Sequence, residues 1–249
     1  MTQRTDIESM LNTLLEIERF RDYGPNGLQV EGKSEVHKIV SGVTASRALI
    51  DAAIDAQADA IVVHHGLFWK GHDGRVTGWL KQRLERLLAH QINLFAYHLP
   101  LDAHPEFGNN AQFGARLHWV ADARFGDQNL GCVGAPAQPL SVTALSALLQ
   151  QTLGRAPTVV EGDGRLLRRV AWCTGGAQGY FEGAIAAGAD AYVTGEISEP
   201  QAHYARESGV AFFACGHHAS ERFGAPALAA HVAAKFGIAH QFIDIDNPA

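Results

Sequence analysis

Apolar positions along the chain follow two alternating rhythms. Near the start, Ile7, Met10, Leu11, Leu14, Leu15 and Ile17 recur at helical spacing behind Thr5 and Glu8, a capping-box pair, which predicts an opening amphipathic helix. Asp22-Tyr-Gly-Pro-Asn-Gly carries turn residues that end it, and Leu28-Gln-Val-Glu-Gly reads as a short extended piece. A regular grammar then begins: a β-branched strand over 36–43, an Ala-rich helix over 46–57, strand 60–63, helix 76–90 and strand 92–97. The same order returns later, with strand 169–174, helix 178–187, strand 191–194, helix 199–207 and strand 210–215. Strand, helix, strand in repetition predicts parallel βαβ units.

The recurrence is visible in the letters. Ala53-Ile-Asp-Ala-Gln-Ala-Asp-Ala-Ile-Val62 matches Ala184-Ile-Ala-Ala-Gly-Ala-Asp-Ala-Tyr-Val193 at seven of ten positions, which suggests an internal duplication, although Ala-rich helices also converge by composition. Between the halves, 122–139 is rich in Gly and Pro and reads as a seam, followed by a Leu/Ala helix that Ser141 caps and that runs to Leu153. The expected fold is α/β, with two similar α/β lobes whose mainly parallel sheets are flanked by helices. Residues 1–125 form the first lobe and 126–249 the second, and a closing strand over 239–245 is free to join either sheet.

Composition narrows the function classes. At 249 residues with 47% hydrophobic and 18% charged content, the chain can bury a core large enough to offset its ordering entropy. No apolar window approaches the roughly 18 residues of a membrane span, and the acidic start lacks the pattern of an export signal, so a cytoplasmic protein is expected. A net charge of −6 with dispersed Lys and Arg gives no stripe for phosphate backbones, so direct nucleic-acid binding is not expected. Cys132, Cys173 and Cys215 are widely spaced, with no C-x-x-C, and read as buried small hydrophobes in a reducing compartment.

Histidine is the unusual component, with 13 in all and five of them in short clusters at strand ends. Val62-Val63-His64-His65-Gly66 and Tyr97-His98-Leu-Pro-Leu-Asp102 each leave a buried strand at its carboxyl end, where open α/β sheets place ligands. Cys215-Gly-His217-His218-Ala-Ser-Glu221 follows the equivalent strand of the second half, with His217 and Glu221 one helical turn apart and His218 aimed elsewhere. Each cluster alone also fits a packed or salt-bridged pair; three at three strand ends point to metal. His64, His65, Asp102, His217 and Glu221 exceed what one tetrahedral zinc takes, so two divalent ions are expected, with zinc, manganese or iron suiting nitrogen and oxygen donors. Asp102 can bridge two such ions, and a water between them, its pKa lowered, becomes a nucleophile at neutral pH. That predicts hydrolysis.

These residues resemble the YbgI-type dinuclear-metal proteins, the GTP cyclohydrolase I type 2 homologues. The resemblance rests on Asn26-Gly-Leu-Gln-Val-Glu-Gly, Val63-His64-His65-Gly66, His98-Leu-Pro-Leu-Asp102, Thr194-Gly-Glu196 and Gly216-His217-His218-Ala-Ser-Glu221-Arg222, which span nearly the whole chain in order. It implies His64, His65, Asp102, His217 and Glu221 as ligands of two metals, a homohexameric toroid, and opening of a C–N bond in a small nucleotide-like or cyclic substrate, GTP among them. Asp102, Glu196 and His98 are the candidate catalytic groups. Glu196 aligns with His65 under the duplication, as a base, an outer acceptor or a structural cap. His98, His203 and His218 can shuttle protons or hold a phosphate, Arg222 can clamp an anion or be an ordinary solvated arginine, and the Thr174-Gly-Gly turn is a weak phosphate cradle. A metal-binding scaffold or regulatory partner protein without turnover is the rival reading, with metal storage or delivery a third.

Overall fold

The computed structural model describes residues 2–249. In chain order its elements are β1 (Thr2–Gln3), α1 (Arg4–Leu14), β2 (Gly27–Val30), β3 (Glu35–Val36), β4 (Lys38–Thr44), α2 (Arg47–Asp55), β5 (Ala60–His65), α3 (Gly78–Ala89), β6 (Asn93–Ala96) and α4 (Leu99–Ala103). There follow α5 (Asn109–Arg116), β7 (Val120–Phe125), β8 (Gly131–Ala135), α6 (Val142–Leu153), β9 (Thr158–Val160), β10 (Val170–Trp172), α7 (Phe181–Ala186), β11 (Ala191–Thr194), α8 (Glu199–Ser208), β12 (Ala211–Ala214), α9 (His217–Ser220), α10 (Gly224–Phe236) and β13 (Ala239–Phe242).

The chain forms two compact units. The first comprises residues up to Gly108 together with Gly224–Asp246, and the second Asn109–Phe223 with Asn247–Ala249. The boundary therefore differs from the expected break at 125/126. The Gly- and Pro-rich stretch is no seam: β7 and β8 pair antiparallel, and β8 pairs with β10, so the whole hairpin belongs to the second sheet. The closing strand, free in sequence to join either sheet, pairs parallel with β4 in the first.

The first sheet has the order β13-β4-β5-β6-β2, parallel except for β2 at its edge. Alternation along its strands divides the buried side chains between two faces. Val40, Ile61, Val63 and Leu94 pack with Leu49 and Ile50 of α2 and Leu80 and Leu87 of α3. Ile39, Val62, Phe95 and Tyr97 pack with Ile7 and Leu11 of α1 and Leu228 and Val232 of α10. Covered on both faces, β5 and β6 are apolar almost throughout, and each fully buried Ile, Leu or Val contributes about 1.5–3 kcal/mol.

The second sheet has the order β7-β8-β10-β11-β12-β9 and is mixed: β10, β11 and β12 run parallel, while β7, β8 and β9 pair antiparallel. The expectation of mainly parallel sheets thus holds for the first unit only. Trp172, Val193 and Phe213 pack against Leu145, Leu149 and Leu153 of α6 on one face, and Tyr192, Phe181 and Phe212 stack on the other.

The duplication is present in hydrogen bonds as well as letters. Asp59 accepts from the backbone N–H groups of His37 and Lys38, and Asp190, its match, accepts from Arg168 and Arg169 at the same offset. Gln57 and Gly188, also matched, both end their helices with positive φ. Strands β4-β5-β6-β2 and β10-β11-β12-β9 share order and orientation. One local expectation fails. The first helix begins at Arg4 with Gln3 as its N-cap, so Thr5 lies inside it and forms no capping box. Ser46 and Ser141 do cap, accepting from the N–H groups of Leu49 and Ala144. No helix among the described residues is long and apolar enough to cross a membrane.

Candidate metal centre

In the first unit, β5 runs through both histidines, with His64 fully buried and His65 its last residue. Neighbours in a strand diverge, yet at this strand end the two ring centroids lie only 4.5 Å apart. His64 Nδ1 is 3.0 Å from the Tyr97 carbonyl oxygen. A carbonyl can only accept, so Nδ1 carries the proton and Nε2 keeps its lone pair, directed to within 3.5 Å of Asp102 Oδ1. Asp102 is buried in α4, whose second residue is Pro100, and its backbone N–H bonds the His98 carbonyl. His65 Nδ1 meets Thr44 Oγ1 at 3.1 Å.

His98, just past β6, brings its ring to 5.0 Å from that of His64 and 5.7 Å from that of His65. One nitrogen from each of these three imidazoles lies within 4.8 Å of the others. His98 Nδ1 is 2.6 Å from Asp22 Oδ1. Burial alone would raise the Asp22 carboxyl, but the hydrogen bonds from His98 and Asn26 outweigh it and hold the pKa at about 2. Trp69 stands edge-on to His98, with ring centroids 5.1 Å apart.

In the second unit, His217 opens α9 and Glu221 directly follows it. His217 Nδ1 is 2.6 Å from Glu196 Oε1 and Nε2 is 3.2 Å from Glu221 Oε2, so one imidazole lies between two carboxylates. Burial would lower the His217 pKa, but Glu221 and Glu196 together raise it to about 9. The pocket thus calls for positive charge at Nε2, where a cation can replace a proton. Gly175 wraps Glu221: a Cβ there would fall 2.0 Å from Glu221 Oε1, and its φ of +73° suits glycine. Its N–H donates to Ser220 Oγ, which itself donates to the His217 carbonyl.

His64, His65 and His98 of the first unit fit a divalent cation, and His217 and Glu221 of the second offer one further imidazole and one carboxylate. Neutral imidazoles and carboxylates without a thiolate suit zinc, manganese or iron, and each donor imidazole is fixed through its far nitrogen, as ligating histidines are.

A family model, Duf34/NIF3 (NGG1p interacting factor 3), matches residues 2–248. The chain belongs to the DUF34/NIF3 family. A Neisseria meningitidis relative named "GTP cyclohydrolase 1 type 2 homolog" is 51% identical over 249 residues, spanning 100% of both chains, and a Pseudomonas aeruginosa relative of the same name is 50% identical over 94% of each. A solved structure described as protein ybgI of unknown function superposes with a TM-score of 0.96 at 45% identity, and one from Thermus thermophilus with 0.90 at 35%, each over the full length of both chains. The resemblance drawn from the motifs therefore stands.

Within this DUF34/NIF3 chain some candidates lie away from the imidazole clusters. His203 pairs with Glu199 on the exposed side of α8. Arg222 donates to the Leu153 carbonyl at the end of α6, so its guanidinium is held by a helix terminus. His218 is buried and its backbone N–H bonds the Ala249 carbonyl. In the Thr174-Gly-Gly turn the N–H groups of Thr174 and Gly175 donate to Asn110 Oδ1 and Ser220 Oγ, so neither is directed to a phosphate. All three cysteines are free and buried, and burial pushes the Cys132 thiol up to about 11. Sequence reasoning missed Asp22, Thr44, Ser220 and the Tyr97 carbonyl. Only Asp22 had a signal, a carboxylate within the turn that precedes the Asn26 motif.

Proposed function

We propose that this chain is a metal-dependent hydrolase that binds two divalent ions, with His64, His65, Asp102, His217 and Glu221 as their ligands. The observation that carries the reading is the fixed tautomer of His64, whose Nε2 meets the Asp102 carboxylate at a buried strand end. Bound ions there would supply Lewis acidity and a lowered pKa for water. Asp102 would be the carboxylate shared between the ions, its buried position giving it no competing solvent. Glu196 holds His217 through Nδ1, and His98 accepts or returns a proton through the nitrogen that faces His64. The substrate class is a small nucleotide-like or cyclic molecule opened at a C–N bond, with GTP the first to test because it stands in the relatives' names. The homohexameric toroid implied by the motif resemblance and the cytoplasmic location expected from the sequence belong to the same reading.

Metal analysis of Asp102→Ala tests the bridge: the wild type should carry two ions per chain and the variant fewer. Two ions retained would refute the assignment. Screening the metal-loaded chain against nucleotides and cyclic amides, with that variant as control, tests the reaction, and light scattering tests the hexamer. The interaction recorded in the family's name supports a second reading, a partner-binding protein without turnover, which a productive screen would eliminate.

A further inference from the structure

The turn that follows α1 is tied to the end of β6 by a buried polar clamp. Asp22 Oδ1 receives the Tyr23 N–H and meets His98 Nδ1, while Oδ2 receives the Leu99 N–H and the Asn26 side-chain amide, both at 2.9 Å. Asn26 Oδ1 in turn accepts the His98 N–H at 2.7 Å. The Asp22 side chain is 4% exposed. An ionised carboxylate has no proton to give, so the proton of the 2.6 Å contact resides on His98 Nδ1. Beyond the imidazole lies a cavity of about 10 Å³, lined by His64, His98, Gln29, Gly66, Phe68 and Trp69 among others. That is close to the space of one water molecule, and the lining supplies the polar partners such a water needs.

We propose that Asp22 is a positioning residue: by accepting a hydrogen bond from His98 Nδ1–H it makes this imidazole present Nε2 as a hydrogen-bond acceptor to a water in the small cavity shared with His64. Its purpose rests on the hydrolase reading, since an oriented acceptor beside the imidazole cluster is what an attacking water requires. The orientation itself does not, because it is set by Asp22 and Asn26 without any ion. A carboxylate that fixes a histidine tautomer has a known energetic signature: the isosteric amide keeps the geometry but favours the wrong tautomer. In Asp22→Asn, the amide oxygen remains with Leu99 and Asn26, and the NH₂ group then faces Nδ1. Of the partners around that side chain, His98 is the one that can relieve the clash by moving its proton to Nε2.

The experiment is long-range proton–nitrogen correlation NMR on the metal-free full chain with ¹⁵N-labelled histidine, His98 being assigned by loss of its signals in His98→Gln. Wild type should show His98 protonated at Nδ1 and bare at Nε2, and Asp22→Asn the reverse. Asn26→Ala, which removes the acceptor for the His98 backbone and one donor to Asp22 Oδ2 but leaves Asp22 Oδ1 facing His98 Nδ1, should keep the wild-type pattern; a merely structural clamp would instead let both variants scramble alike. If Asp22→Asn fails to fold, wild type and Asn26→Ala still decide. A wild-type His98 bare at Nδ1, or a pattern unchanged in Asp22→Asn, overturns the proposal. A correct tautomer in a chain that binds no zinc defeats the hydrolase reading and leaves this inference standing.

Discussion

Glycine 175 shows how one missing methyl decides a site. Its amide serves Ser220 while its α-carbon lies against the Glu221 carboxylate, so Gly175→Ala must displace that carboxylate and also adopt an unfavourable positive φ. Expected outcomes are a loss of zinc affinity of about 10- to 100-fold, the range for disturbed ligand support, and a stability loss of about 1–2 kcal/mol. Chelator competition and urea unfolding check the two separately. Much at this scale was legible in the letters: the paired histidines at strand ends, Asp102, and the His217/Glu221 spacing. What was not legible is what holds them. His64 is fixed by a backbone carbonyl, which every residue has, and His98 by an aspartate distant in sequence, so neither partner leaves a local trace.

At the scale of elements, the duplication lets one half predict the other. Gln57 ends α2 in the left-handed conformation that Gly188 supplies at the matched position. Gln57→Gly should therefore stabilise the chain by about 1 kcal/mol, read as a higher urea midpoint, because the strain of a side chain there exceeds the entropy glycine brings. Asp59 joins the start of β4 to β5 through His37, Lys38 and the Lys33 ammonium. Burial would raise its pKa, but those hydrogen bonds and the Lys33 charge lower it below 3.8. A depressed carboxyl contributes stability that is present above the unfolded value and lost as pH falls through the folded one. Asp59→Asn should thus cost about 1–2 kcal/mol near pH 7, with the difference from wild type shrinking below about pH 4 in denaturation curves. Helices and strands were mostly readable from periodicity. The β7–β8 hairpin was not, since five of six β7 residues are exposed and its Gly and Pro content resembles a connector.

For the molecule as a whole, the order of units along the chain is the feature that periodicity could not supply. Helix α10 and β13 lie at the far end of the sequence yet complete the first unit, with Ala225, Leu228, Ala229 and Val232 fully buried against α1, β4 and β5. Apolar spacing identifies a helix but not which sheet it covers. Residues 1–108 made alone should therefore lack a cooperative unfolding transition, whereas the same residues linked to 224–246 should regain one, as followed by circular dichroism during urea titration.

This threading also has a consequence for synthesis. On the ribosome, the stretch from Asn109 to Phe223 can close its sheet while Ile39, Val62 and Phe95 still wait for the part of their cover that Ala225, Leu228, Ala229 and Val232 supply from beyond that stretch. The half that is translated first is finished last, and in the interval it presents a greasy sheet face to the cell, a natural client for a holding chaperone.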